Sequence, residues 1–201
     1  ASSAPRHIRF LQLADMHAQL DTHWEYLPED PTHLHRMGGF SRIRTALDRE
    51  RASAAGVVFT LDGGDTFQGS AIAAWTRGEA VVAPLNALGI DAGIPGNWEI
   101  VYGPAQFRKL MSAVNYQVIC YNFHEQTTGI RLFAPSVTLE KDGVRVAFVG
   151  VTDPTTTRRQ SPAQVARVPQ EVTGQPRRVV VGGVTWRDTF AALKHRNFRL
   201  F

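Results

Sequence analysis

Three short stretches hold the side chains best suited to chemistry. Asp15 and His17 stand two apart, after the apolar run Ile8-Arg9-Phe10-Leu11-Gln12-Leu13. Asp65 follows Val57-Val58-Phe59-Thr60-Leu61 across a turn containing Gly63 and Gly64. Asn97 follows the punctuated turn Gly93-Ile94-Pro95-Gly96. Residues two apart on an extended segment point the same way, so Asp15 and His17 can converge on one ion. A carboxylate at the end of a buried strand needs a cation or several donors to offset its desolvation. Asp65 is therefore a candidate metal ligand, and equally a candidate N-cap for the helix that runs on through Ala71. Asn97 offers a neutral oxygen ligand or, more simply, an Asx-turn.

The elements that position these residues follow from the same runs. The β-branched and aromatic segments read as buried strands, and each chemical residue stands just past a strand end. In an open α/β sheet, sites form beyond the carboxyl ends of the strands. Asp15 and His17 could then hold one ion and Asn97 a second, with Asp65 bridging. Mixed oxygen and nitrogen ligation suits Mn, Fe, Zn or Co. Two ions about 3.5–4 Å apart would clamp an anionic ester and generate a hydroxide nucleophile.

Periodicity predicts a helix over 39–54, with Phe40, Ile43 and Leu47 inward and Arg42, Arg44, Arg49 and Arg51 as its solvated face. Ser70 caps a helix through Trp75. Another helix spans 78–88, with Pro84 kinking it or marking its true start. Pro104 opens a helix through Val114. Residues 18–38, rich in His and aromatic residues, read as an irregular polar loop. It leaves directly from the first turn and is a candidate substrate-side flap. A strand over 117–121 leads to Asn122 and His124, a surface histidine by default. Segments 132–139 and 144–151 flank Asp142-Gly143, a hairpin signal. Asp153 caps or turns the chain.

The 201 residues suffice for one sizeable domain, and 43% hydrophobic content with 20% charge is ordinary for a soluble protein. No run approaches the roughly 20 apolar residues of a membrane span. The net charge of +4 favours anionic ligands without specifying nucleic acid. The one cysteine, Cys120, sits in an apolar strand and reads as a buried structural thiol. No signal peptide leads the sequence, and Ala1 to Pro5 reads as the remnant of cleavage or a bare start. Residues 161–178 read as a linker, 179–183 as a short strand, and 186–201 as a basic amphipathic tail, a candidate for weak membrane or partner contact. The tail faintly resembles the lead-in to the first span of major-facilitator transporters.

The ordered set Asp-x-His, Gly-Asp and Gly-Asn-x-Glu resembles the metallophosphoesterase (calcineurin-like) superfamily. Gly38-Gly39-Phe40, Gly64-Asp65-Thr66-Phe67-Gln68-Gly69-Ser70, Leu85-Asn86-Ala87-Leu88-Gly89 and Tyr121-Asn122 narrow the resemblance to the secreted 5′-nucleotidases. That resemblance implies an α/β chain, the N-terminal half of a four-layer αββα sandwich of mixed sheets, over residues 1–160. It implies Asp15, His17, Asp65 and Asn97 as metal ligands, Asn97 and Trp98 at the catalytic turn, and Asn122 on the substrate side. It implies two divalent ions in a complete site, with one held here. The expected reaction is attack by a metal-bound hydroxide on a phosphomonoester such as a nucleotide, in the periplasm or outside the cell.

Two departures qualify it. The nucleotidases carry Gly-Asn-His-Glu, whereas this chain has Trp98, whose indole N–H cannot deliver a proton near neutral pH. Trp98-Glu99 and Ala74-Trp75-Thr76-Arg77-Gly78 are similar to the SoxB thiosulfohydrolases of sulfur oxidation, which gives a second expected activity. The superfamily also completes its site with later histidines, including Gly-His-x-His. After residue 97 the chain has only His124 and His195. A truncated, non-catalytic metal-binding domain is the third expectation.

Overall fold

The computed structural model describes residues 7–156, residue 126 excepted. The expected lead, linker, 179–183 strand, basic tail and boundary near residue 160 lie outside them. Strands β1 (Ile8–Leu13), β4 (Val57–Asp62), β5 (Ala92–Gly93) and β6 (Gln117–Val118) form one parallel sheet in the order β1-β4-β5-β6. Parallel neighbours need long crossovers. Helix α1 (Phe40–Ala52), the pair α2 (Ala71–Thr76) and α3 (Glu79–Asn86), and α4 (Pro104–Ala113) supply them. The α/β class expected from the sequence is thus observed.

Side chains alternate across each strand, so the two faces of the sheet differ. Leu11 and Leu13 face the helices and join Phe40, Leu47, Val81, Leu85, Leu88 and Leu110 in the main core. Phe10 and Phe59 face the other way, beneath an antiparallel hairpin of β7 (Ser136–Lys141) and β8 (Val144–Val149). Phe148 of that hairpin packs edge-on against both rings, at 5.9 and 5.6 Å between centroids. Lys141 pins the hairpin down by donating to Val58 O and to the Asp91 carboxylate at 2.7 Å. The tight turn has Asp142 and Gly143 at φ 49° and 70°, as the Asp-Gly signal requires.

Helix boundaries agree with the periodicity to within about two residues. Ser70 caps α2 by accepting the Ala73 N–H, so the cap reading of Asp65 is excluded. Pro84 lies inside α3 rather than at its start. Arg51 is not part of a merely solvated face. One guanidinium nitrogen donates to Thr60 Oγ1, Leu88 O and Gly89 O at 2.7–2.9 Å, tying α1 to β4 and to the end of α3. Arg51→Met should therefore cost about 1–3 kcal/mol, read as a lowered urea midpoint at unchanged slope.

Residues 18–38 are not an irregular loop. They hold the antiparallel pair β2 (Thr22–Leu27) and β3 (Asp30–Gly38). Trp24, Tyr26 and Leu34 share its exposed face, while His23, Glu25, His35 and Met37 share the other. Arg36 stands opposite Trp24 on the exposed face and Met37 opposite His23 on the other, so each face mixes apolar with polar residues and a hydropathy pattern misses the alternation. Asp30 anchors the far end, accepting from His35 at 2.9 Å and His33 at 3.1 Å. Those contacts, together with Thr32, hold its carboxyl down at a pKa of about 2.

Candidate metal centre

The three chemical turns leave the carboxyl ends of β1, β4 and β5, which are adjacent in the sheet. They must therefore be neighbours, and the backbone zips them further. The Gly63 N–H donates to Leu13 O, Asp15 to Gly64 O, His17 to Asp65 O and Ala18 to Thr66 O, all at 2.7–3.0 Å. The ladder of β1 and β4 thus continues through both turns. Four non-glycine residues of these turns adopt left-handed backbone: Asp15, His17, Ala18 and Asp65, with φ between 44° and 58°. Each costs roughly 1–2 kcal/mol, and such strain gathers at functional sites.

The result is convergence. Asp15, His17 and Asp65 each bring a ligand-type atom within 4.8 Å of the others. His17 Nδ1 lies 3.0 Å from the Gln68 carbonyl oxygen, which can only accept. That fixes the proton on Nδ1 and leaves the Nε2 lone pair to face Asp15 Oδ1 at 3.8 Å. Imidazole oriented in this way is ready to ligate a metal.

The electrostatics ask for a cation. Burial, with the charge of Asp15 adding to it, pushes the Asp65 carboxyl above its ordinary value. Burial, then the charges of Asp65 and Asp62, raises the Glu99 carboxyl to about 7. Among the described residues, no lysine or arginine pairs with Asp15, Asp65 or Glu99. A divalent ion fits this donor set in charge, in chemistry and in place.

The third turn joins the second through a reciprocal clamp. Asp65 Oδ1 accepts the Trp98 N–H at 2.8 Å. The Glu99 carboxylate accepts the Asp65 N–H at 3.0 Å and the Thr66 N–H at 2.6 Å, one on each oxygen. Glu99 is 1% exposed. Glu99 closes the Gly-Asn-x-Glu motif, and its role emerges only from these contacts. The only available signal was an acid two residues past Asn97 in an otherwise apolar setting. Asn97 and Trp98 lie half-buried beside Asp65, and the Trp98 ring stands edge-on to His17 with centroids 6.4 Å apart.

Close approach sets the glycines here. A Cβ on Gly64 would come within 2.2 Å of Gly96 N, and one on Gly96 within 2.3 Å of Asp65 Oδ1. Gly96→Ala should therefore push Asp65 off its present position. Calorimetric titration with Mn²⁺ should register a loss of affinity of at least ~10-fold.

Asn122 sits apart from this cluster in its bonding. Its Nδ2 donates to Thr152 O at 2.8 Å and its Oδ1 accepts the Thr152 N–H at 3.0 Å. It staples the segment after β6 to the segment after β8. Cys120 beside it is fully buried, and burial raises its thiol pKa. His124 is half-buried rather than a surface residue. Asp153 turns the chain by accepting the Thr155 N–H at 2.7 Å.

No protein-family model matches the chain. The 5′-nucleotidase of Vibrio cholerae is 26% identical over 133 residues, which are 65% of this chain and 24% of that protein. The solved 5′-nucleotidase precursor of Thermus thermophilus is 28% identical, with a TM-score of 0.67 over 80% of this chain and 32% of that one. The sulfate thiohydrolase SoxB of the same organism shares the fold, with a TM-score of 0.71 at 19% identity over 85% of this chain and 40% of that one. The chain spans about a quarter of the length of the curated relatives it matches. Sequence and fold together support a similarity to the N-terminal metallophosphoesterase domain of 5′-nucleotidase-type proteins.

Proposed function

We propose that the chain carries the first half of a metal-dependent phosphohydrolase site acting on phosphomonoesters, nucleotides among them, in the periplasm or outside the cell. The observation that carries this reading is the convergence of Asp15, His17 and Asp65 on one point at the end of a parallel sheet. The similarity to 5′-nucleotidases supports it independently. Asp15, His17 and Asp65 would hold one divalent ion, and Asp65 and Asn97 would face a second. Ions of the Mn, Zn, Fe or Co class supply charge neutralisation for an anionic ester and lower the pKa of water.

The chain's own residues prepare that chemistry. Gln68 O holds the His17 tautomer, and Glu99 with the Trp98 N–H holds Asp65. Trp98 occupies space beside His17 and excludes water from that side. It has no proton to give a leaving group near neutral pH. That last point favours a second reading, a SoxB-like thiosulfohydrolase, whose sulfur leaving group needs no such proton. Among the described residues, no second imidazole joins Asp15, His17 and Asp65. By themselves these residues offer one good ion position.

Two measurements test the reading. Calorimetry of residues 1–201 with Mn²⁺ should give one site, lost on chelation. The protein at its full encoded length should release phosphate from AMP in Mn²⁺ above an EDTA blank. Sulfate release from a thiosulfate ester, with none from AMP, would transfer the assignment to the second reading. Absence of any bound ion would end both.

A further inference from the structure

Beneath the Gly64–Thr66 turn lies a buried polar stack with no part in the site as described so far. Asp62, the last residue of β4, is 4% exposed. Its Oδ1 accepts the Gly64 N–H at 3.0 Å and the Thr66 hydroxyl at 3.2 Å. Its Oδ2 accepts the Tyr116 hydroxyl at 2.7 Å. Tyr116 stands just before β6, two strands away from β4. It reaches Asp62 past β5 because residue 93 is glycine. A Cβ there would lie 2.7 Å from Tyr116 Cε2 and 2.9 Å from Asp62 Cβ.

A hydroxyl at this depth has a cost unless it is bonded. Phenylalanine would keep the ring's packing against the main core. The hydroxyl is therefore the part of Tyr116 that calls for a reason, and its bond to Asp62 supplies one. Burial, with the charge of Asp62 behind it, keeps the phenol far above its ordinary pKa, so it always donates. An ionised carboxylate this deep needs its lone pairs met. Without the tyrosine donor, Asp62 must take up a proton or rotate, and either change disturbs its bonds to Gly64 and Thr66.

We infer that Tyr116 is a positioning residue for the metal centre. Through Asp62 it holds the Gly64 N–H and the Thr66 hydroxyl, one from each residue flanking Asp65. The inference rests on the reading of Asp65 as a metal ligand. Two buried acids then hold this turn, one from the end of β4 and one from the turn that follows β5: Glu99 takes the Asp65 and Thr66 N–H groups, and Asp62 takes the Gly64 N–H and the Thr66 hydroxyl.

The test compares wild type, Tyr116→Phe and Asp62→Asn by Mn²⁺ titration and by the visible absorption of bound Co²⁺. Circular dichroism confirms that each is folded at the working temperature. Tyr116→Phe should bind Mn²⁺ about tenfold more weakly, the scale of outer-shell changes at metal sites, and should shift the Co²⁺ bands. Asp62→Asn should weaken Mn²⁺ binding in the same direction, because an Nδ2 in place of Oδ2 cannot accept the Tyr116 hydroxyl and sets one donor against another. A Tyr116→Phe protein with a lowered melting temperature but wild-type affinity and Co²⁺ spectrum would overturn the inference. Wild type that binds no Mn²⁺ would overturn the metal-centre reading itself, and this inference with it.

Discussion

Asp65→Asn should move two measurements in opposite directions. Mn²⁺ affinity should fall by ~100-fold or more, because the shared carboxylate of Asp15, His17 and Asp65 loses its charge. The melting temperature of the metal-free chain should rise. In the absence of an ion, Asp65 is ionised at a cost: burial and the charge of Asp15 both raise its pKa. Asparagine keeps an oxygen for the Trp98 N–H while shedding that cost. A residue kept for packing or capping would show the reverse, a less stable protein with unaltered ion binding. Paired calorimetric and thermal scans, with and without Mn²⁺, decide between them.

Glu99→Gln should be the most damaging polar substitution at the site. Each carboxylate oxygen of Glu99 accepts a different backbone N–H, from Asp65 and from Thr66. Glutamine can satisfy one and must set its own NH₂ against the other. An unmet buried donor costs about 1–3 kcal/mol, which in a domain of this size is a drop of roughly 2–12 °C. The pH profile carries a second signature. The folded pKa of about 7 lies above the ordinary 4.5, because burial and the charges of Asp65 and Asp62 outweigh the two N–H bonds. A raised acid pKa gives stability that is complete below about 4.5 and is lost as the pH climbs toward 7. The conversion gives on the order of 3 kcal/mol for the metal-free chain across that window. Glu99→Gln should remove this slope. Urea midpoints taken at intervals from pH 4.5 to 7.5 would show it, and an equally steep variant would refute the assignment.

Much of the scaffold was legible because it rests on local chemistry. Val57 to Leu61 and Ile8 to Leu13 announce buried strands, Ser70 and Pro104 mark helix starts, and Asp142-Gly143 marks a hairpin turn. The neighbourhood of the three chemical turns also followed, since strand ends in a parallel sheet share a rim. What escaped the sequence reading is long-range or sign-reversed. Arg51 looked solvated because its three acceptors come from β4 and the end of α3, distant along the chain. The β2–β3 ribbon escaped because each of its faces mixes apolar with polar side chains. Glu99 escaped as a support because its partners are backbone N–H groups, which no composition reveals, and Asp62 because one of its donors, Tyr116, is distant along the chain. Asn122 was expected beside substrate, and what its position supplies in the fold is a two-way bond to Thr152.

The backbone bonds that carry the β1–β4 ladder onward through Asp15, His17 and Asp65 have a thermodynamic corollary. The donors for a cation are arranged at the moment the sheet closes, so no loop has to order itself when the ion arrives. Capture then spends none of its free energy on folding a loop, and occupancy adds to global stability as RT ln(1 + [ion]/Kd). The domain would act as a reporter of ambient metal: its unfolding temperature would climb with the logarithm of free ion, over a range set by affinity alone.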